Sequence, residues 1–457
     1  MIDLKLPKVS VSVAFMVTGA FMLFLGTFYG LISAIDLVAP SLFNSSILVF
    51  GRTRPIHTNT VIYGFVAETL IGAGLYYVPA LLKTSLWSER LGWISFTLWT
   101  LTVLSGPITF SMGYSQGREY AEYLWIFDIT LVLSVIFMIV NLIMTISIRK
   151  ESFLYVSVWY FTATFLWTSF GYVIGNVIWH PSTGATSGIV DSILLWFYGH
   201  NLVGLLLTPL AIGAMFYIVP RVANTPLYSH TLSILGFWSL VTLYSHIGGH
   251  HILYAPIPNW LKVVSEVDSG AMSIPVIIVL FNMWMTARGR GSILLKDPSG
   301  RFIMASAIWY FLTGLQGSFQ SIAFVQRVTH FTNWTIGHSH IAVLGFSGYA
   351  ALGALWYILP YATGFRLYSV RLVNLQFWLV TFGLVGFFSV LTIAGLIQGG
   401  SWNGGETVYK TLPLMKPYMF ARAMFGISII SGALLGLFNI FMTFMQKKPF
   451  LPKEIFP

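Results

Sequence analysis

The sequence has no cysteine and very little charge. Without cysteine there can be no disulfide, thiolate metal site, iron–sulfur cluster or covalently attached c-type heme. Any metal must be held by histidine, carboxylate or backbone. Charged residues make up 8% of 457, against about 25% in a soluble protein. That is too little polar material to cover a water-facing surface, which excludes the two or three soluble domains this length would otherwise suggest. The net charge of +10 is no sign of nucleic-acid binding, because the basic residues sit singly in loops and form no patch. What the chain does have is 56% apolar residues with 16 Trp, 22 Tyr and 37 Phe, and a mean hydropathy of +0.79. This is the composition of an all-α, polytopic membrane protein.

A membrane helix needs about 20 mostly apolar residues. Twelve such runs are expected, at roughly 10–36, 57–83, 90–115, 123–147, 152–179, 188–219, 229–254, 259–287, 299–327, 332–361, 371–398 and 418–446. Short loops with turn-forming residues join them, for example Asp297-Pro298-Ser299-Gly300 and Gly399-Gly400-Ser401. The whole of 1–457 reads as a single transmembrane domain, and no internal repeat is evident. The first span reads as a retained helix, since no small-residue cleavage site follows it. Two thirds of the 24 basic residues fall on the side that twelve spans would give to both termini. The positive-inside rule makes that side cytoplasmic.

Ten histidines occur, at 57, 180, 200, 230, 246, 250, 251, 330, 338 and 340. In the expected topology, six of them converge on the outer half of the membrane. His57 opens the second span, and His250 and His251 lie near the outer end of the seventh. His338 and His340 lie within two turns of the outer end of the tenth. His200 sits about twelve residues into the sixth, roughly 18 Å at 1.5 Å per residue. One buried His is usually a structural hydrogen-bonder, but ligating side chains inside a bilayer are costly, and six at matched depth point to function. His338 and His340 are about 200° apart on a helix, so each can hold a different cofactor. His250 and His251 can share one ion only with a third ligand, which His200 could supply. Three neutral imidazoles suit copper or iron, and a lone axial imidazole suits heme. The count therefore accommodates one three-His metal, one heme on a single His and one bis-His heme.

The segments FGRTRPIHTNT, LWFYGHN, LYSHIGGHHILY and HFTNWTIGHSHIAVLGF resemble subunit I of the heme-copper oxidase superfamily, above all the C-type (cbb-type) cytochrome c oxidases. The resemblance runs over essentially all twelve spans and implies that fold. It implies that His200, His250 and His251 bind copper and that His338 is the proximal ligand of a high-spin heme, b-type in this group. His57 and His340 would clamp a low-spin heme b. It makes Tyr244 the redox-active residue, covalently linked to His200. A Tyr suits that role because it can give up a proton and an electron together. In GREYAEYLW, Glu119 is the first candidate for a calcium-binding carboxylate and Glu122 the second, and hard oxygen ligands suit calcium. Arg52 and Arg54 could neutralise heme propionates or simply anchor the interface. The implied activity is reduction of dioxygen to water in a prokaryotic cytoplasmic membrane, coupled to proton translocation. Without cysteine, electrons must arrive from separate subunits, expected to be membrane-anchored c-type cytochromes docking on the outer side.

The sequence departs from the family at several places. Gln316 stands where a glutamate supports the proximal His, and Phe216 and Gly236 stand where the proton path has a Tyr and a His. Ser233 and Tyr244 of that path remain. Glu68, Glu266 and Asp268 are carboxylates inside spans, either an alternative proton route or helix hydrogen-bonders. Nitric oxide reductases share the fold and the six His, but hold non-heme iron and lack the Tyr. Cytochrome c-dependent reductases carry a glutamate four residues after the sixth-span His, where this chain has Gly204. A twelve-span secondary transporter would use the same His as a proton relay and bind no heme.

Overall fold

The computed structural model describes residues 10–177 and 186–450, and His180 lies outside them. The described residues form helices with two isolated β-bridges and no extended strand. We number the long helices α1 (Val11–Asp36), α2 (Phe50–Leu81), α3 (Glu89–Ser111) and α4 (Trp125–Ser147). Next come α5 (Val156–Tyr172, running on as a π-helical turn to Val177), α6 (Gly188–Ala223) and α7 (His230–Tyr244). The last five are α8 (Asn259–Ala287), α9 (Pro298–Gln320), α10 (Asn333–Thr363), α11 (Val370–Asn403) and α12 (Val408–Gln446). Ten are long and apolar enough to cross a membrane. The other two, α5 and α7, are shorter because each gives way to a π or 3-10 turn. The twelve expected spans thus correspond to twelve helical segments.

The bundle has an inner ring. The most apolar stretches of α2, α6 and α10 are 89%, 94% and 83% buried, against 28% to 61% for the other seven. Histidines 57, 200 and 340 all lie on these three helices. Shortly after each of them the helix widens into a π-helical stretch: Thr60–Ala67, Leu202–Leu207 and Ile341–Gly348. Such widening is concentrated at functional sites.

The structure also carries a threefold internal repeat, which overturns the expectation of none. Each inner helix ends on Tyr-x-x-Pro (Tyr76, Tyr217, Tyr357), then turns through a left-handed residue: Lys83, Asn224 and Gly364, with φ of 52°, 52° and 69°. A Leu-aromatic-Ser follows, and its serine (Ser88, Ser229, Ser369) caps the next helix. An asparagine one helix further on then clamps that serine's backbone. Asn141 Oδ1 accepts from Ser88 N at 3.0 Å and Asn141 Nδ2 donates to Ser88 O at 2.9 Å. Asn282 does the same to Ser229 at 3.1 and 2.7 Å, and Asn439 to Ser369 at 3.0 and 3.0 Å. A threonine one turn later (Thr145, Thr286, Thr443) accepts from the residue before each serine. These contacts satisfy the free N–H groups of a helix start, which are costly at a membrane edge.

Several boundaries differ from the expected ones. Helix α2 begins at Phe50, so His57 sits two turns inside it. The polar segment stays helical because Arg52 donates to Ser111 O at 2.7 Å and Thr53 meets the Ser33 hydroxyl at 2.8 Å. Helix α12 begins at Val408, so Arg422 lies well inside it. Gly399-Gly400-Ser401 is helical and not a loop: a Cβ at Gly399 would meet Val328 O at 1.6 Å, so the glycine lets the two backbones touch. The seventh span stops at Tyr244 and resumes as a 3-10 turn, Ile247–Ile252. There Gly248 lies against α6, where a Cβ would meet Trp196 O at 2.4 Å.

Candidate functional site

The 3-10 turn delivers His250 and His251 toward His200 on α6. One nitrogen from each of the three lies within 4.8 Å of the others. The Nδ1 of His200 is 2.9 Å from Nε2 of His251. His250 Nδ1 bonds the Ser269 hydroxyl of α8 at 2.7 Å, which leaves its Nε2 for a metal, and Gln326 donates to its carbonyl at 2.7 Å. The His251 ring stacks on Trp196, centroids 4.0 Å apart. Three half-buried imidazoles with few competing partners form a ready site for a borderline metal such as copper or iron.

Tyr244 is part of this cluster. Its ring lies 4.7 Å from that of His200, nearly parallel at 23°. His200 Nε2 is buried and has no hydrogen-bond partner. Space for the tyrosine comes from Gly204, one helical turn after His200. A Cβ there would lie 1.6 Å from Tyr244 Cε1. A side chain at 204 and a tyrosine ring at this position are therefore mutually exclusive.

His338 and His340 point apart, as their spacing requires. His338 Nδ1 donates to Gln316 Oε1 at 3.1 Å on α9. The amide thus makes the same kind of bond a glutamate would make, without the charge, and fixes the tautomer that leaves Nε2 bare. The ring packs beside Gly317, where a Cβ would sit in ordinary contact, 3.5 Å from His338 Cε1.

His57 and His340 face each other from α2 and α10. Their ring centroids are 6.1 Å apart and their planes 18° from parallel. Two imidazoles on opposite sides of one iron would sit about 6 Å apart, from two metal–nitrogen bonds of about 2 Å plus two ring radii. Both Nδ1 atoms are already bonded, His57 to Gly26 O at 2.7 Å and His340 to Ile336 O at 2.8 Å. The two rings line a cavity of about 890 Å³, part of it open. Gly30 belongs to its wall and lets α1 approach, since a Cβ there would lie 2.6 Å from His57 Nδ1. Arg422 also lines it, with its guanidinium 5.4 Å from the Phe387 ring and its Nε without a partner. Nothing in the hydropathy pattern singles Arg422 out from the other basic residues as a cavity residue.

Beside this cavity, Arg54 bridges the two proposed calcium carboxylates. It lies 3.0 Å from Glu119 and 3.5 Å from Glu122. Glu122 is the buried one, bonded by Asn59 at 3.0 Å. Burial pushes its carboxyl up to about 7, against the pull of Asn59 and Arg54. As these carboxylates stand, an internal cation neutralises them.

The other carboxylates have separate places. Glu266 caps the short helix Ala323–Thr329 by accepting from Ala323 N at 2.6 Å. Asp268 lies 3.5 Å from His246 Nδ1. Glu68 is buried and accepts from Thr100 at 2.9 Å, with its second oxygen unpartnered. Ser233 is engaged in the clamp, accepting from Asn282 at 2.8 Å and donating to Ser229 O at 3.0 Å.

The family described as cytochrome c and quinol oxidase polypeptide I matches residues 10–428. The chain is 33% identical over 434 residues to a cytochrome c oxidase subunit 1 homolog of Agrobacterium tumefaciens (strain T37), covering 92% of this chain and 80% of that protein. It is 33% identical over 412 residues to the cbb3-type cytochrome c oxidase subunit CcoN1 of Stutzerimonas stutzeri, covering 88% and 87%. The fold matches a heme-copper terminal oxidase dimer solved by cryo-EM, with a TM-score of 0.84 at 16% identity over 97% of this chain and 85% of that one.

Proposed function

Because the chain belongs to the cytochrome c and quinol oxidase polypeptide I family, we propose that its histidine clusters are the cofactor ligands of a cbb-type respiratory oxidase. The chain is the membrane-embedded catalytic subunit of a heme-copper cytochrome c oxidase, reducing dioxygen to water. His57 and His340 would hold a low-spin heme b, His338 a high-spin heme of the same type, and His200, His250 and His251 a copper ion. The donor sets fit: two opposed imidazoles, one imidazole with its Nδ1 anchored, and three converging imidazoles. When bound, these groups supply electron transfer, dioxygen binding and reduction.

The chain's own residues do the rest. Gln316 and Ser269 orient their imidazoles. Tyr244 can deliver a proton and an electron together to the reacting oxygen. Four-electron reduction without peroxide release needs such a donor, whereas joining two nitric oxide molecules needs only two electrons. The stack of Tyr244 on His200 over Gly204 is the observation that carries the oxidase reading.

Electrons come from other subunits, since the chain has no cysteine to attach a c-type heme. Membrane-anchored c-type cytochromes are the partners this reading assigns, with lipid around the bundle. The setting is a prokaryotic cytoplasmic membrane, with the basic-rich side and both termini in the cytoplasm. Glu119 and Glu122 could serve calcium only by exchanging Arg54 for the metal.

Tyr244→Phe tests the reading. It should keep both hemes and copper yet lose dioxygen reduction by at least ~100-fold, about 2.7 kcal/mol of barrier. Full turnover with dioxygen in that variant would refute the role of Tyr244. Nitric oxide as the only efficient substrate of the wild type would favour a reductase.

A further inference from the structure

A second cavity opens between α5, α6 and α7 and shares no lining residue with the one between His57 and His340. It measures about 570 Å³, part of it open, within the range of about 300–1,000 Å³ that small-ligand sites occupy. Trp167, Phe170 and Phe197 give it aromatic walls, with Phe170 and Phe197 edge to face at 6.3 Å between centroids. Phe170 is 57% exposed and marks the open side. Counted from the basic-rich side, Phe170 lies fourteen residues beyond Val156 of α5 and His246 sixteen beyond His230 of α7, about 21 and 24 Å along the bundle. Both depths fall inside a hydrocarbon core of about 30 Å. Whatever enters this cavity comes from the lipid.

Two polar side chains of the lining have unused acceptors. Asn201 is 6% exposed, and its Oδ1 is buried with no hydrogen-bond partner. Its Nδ2 reaches only Ser245 O, at 3.5 Å. At the open side the His246 side chain is 56% exposed, with its Nδ1 3.5 Å from Asp268 Oδ2 of α8. That carboxylate favours the proton on Nδ1 and leaves Nε2 with a lone pair. A His–Asp pair open to hydrocarbon is costly and points to function. A buried amide oxygen without a donor is costly as well. The oxidase reading uses neither group. Both lie close to its chemistry, since Asn201 directly follows His200, and Ser245, which also lines the cavity, directly follows Tyr244.

We propose that this cavity binds a membrane-soluble aromatic ring with a hydroxyl at each end, a hydroquinone, with one hydroxyl donating to Asn201 Oδ1 and the other to His246 Nε2. An aromatic ring suits the aromatic walls, two donors satisfy the two acceptors, and an apolar tail can leave by the open side into the lipid. A saturated lipid chain would fill the space and leave both acceptors unpaired. No electron or proton leaves the ligand. This is an effector site beside the His200–Tyr244 stack, apart from the cavity of the low-spin heme pair, and it stands independently of the oxidase reading.

The test is binding of decylubiquinol to the purified complex by equilibrium dialysis, with the complex anaerobic and fully reduced so that no turnover intervenes. The wild type should show a saturable site, and a photoreactive azido analogue should label the peptides holding Trp167–Phe170 or Phe197–Asn201. Gly171 belongs to the cavity wall, and a Cβ there would meet nothing within 4 Å. Gly171→Leu therefore fills the cavity without displacing the protein, and should weaken binding at least ~10-fold. His246→Phe keeps a ring but removes the acceptor, and should weaken it at least ~5-fold by stranding a ligand hydroxyl. Heme spectra should not change in either variant. No saturable binding to the wild type, the result if a partner helix covers the cavity, would overturn the site. So would label confined to other peptides, or wild-type affinity in Gly171→Leu. Dialysis without dioxygen reads binding alone, so failure of the oxidase reading would leave this result standing.

Discussion

Gly204→Ala should be far more damaging than its one added carbon suggests. The new Cβ would fall 1.6, 1.9 and 2.3 Å from three ring carbons of Tyr244. Carbon atoms settle at about 3.5–4.0 Å, so the ring must retreat by roughly 2 Å. It cannot retreat that far and keep its 4.7 Å stack on His200. A misplacement of about 1 Å at a reacting group can cost about 100-fold, so dioxygen reduction should fall at least ~100-fold. The three atoms nearest the added carbon all belong to Tyr244 and none to a ligand histidine, so optical spectra should still show both hemes. The assay pairs oxygen consumption with peptide mass mapping, because the proposed covalent link joins the peptide containing His200 to that containing Tyr244. Linked peptides in the wild type and separate ones in the variant are expected. A Gly204→Ala enzyme with wild-type turnover and an intact link would refute the reasoning about this cradle.

Three further outcomes follow from the same geometry. His57→Ala should lose the low-spin heme signal and internal electron transfer while a ligand-binding heme survives, and a normal bis-His spectrum would disprove the pairing with His340. Arg422→Gln should lower the midpoint potential of the low-spin heme in a redox titration, because a positive charge disfavours the oxidised iron. A unit charge about 10 Å away at an effective dielectric of about 20 is worth roughly 1.7 kcal/mol, or about 70 mV for one electron; an unchanged potential would mean the charge is neutralised elsewhere. Asn282→Ala should cost about 1–3 kcal/mol by stranding the backbone N–H of Ser229, whose carbonyl keeps its bond from Ser233, lowering the thermal midpoint by a few degrees, and an unshifted midpoint would show that water replaces the clamp.

The spans and the six histidines were legible in the sequence because each rests on a strong signal: long apolar runs, and costly side chains at matched depth. The helix starts at Phe50 and Val408 were not, because hydropathy counts Arg52, Arg54 and Lys410 as loop residues, whereas the fold pairs Arg52 with Ser111 O, Arg54 with Glu119 and Lys410 with Glu406. The helical periodicity applied to His250 and His251 missed the 3-10 turn, which the close approach of Gly248 to Trp196 demands. The threefold repeat escaped notice for another reason. Its fixed points are few: a Tyr-x-x-Pro, a Leu-aromatic-Ser and an Asn-x-x-Met-Thr. Between them, interchangeable apolar residues hide the spacing of 141 and 140 that separates Ser88, Ser229 and Ser369. The different surroundings of Glu119 and Glu122 were also not legible in the sequence, since only the fold buries Glu122 against Asn59.

The central claim is that three histidines hold copper beside two histidine-bound hemes. Metal and heme quantification of the purified complex, corrected for the c-type hemes of its partner subunits, tests it most directly. The account predicts two b-type hemes and one copper per catalytic chain, with no iron beyond that in heme. One non-heme iron and no copper would contradict it.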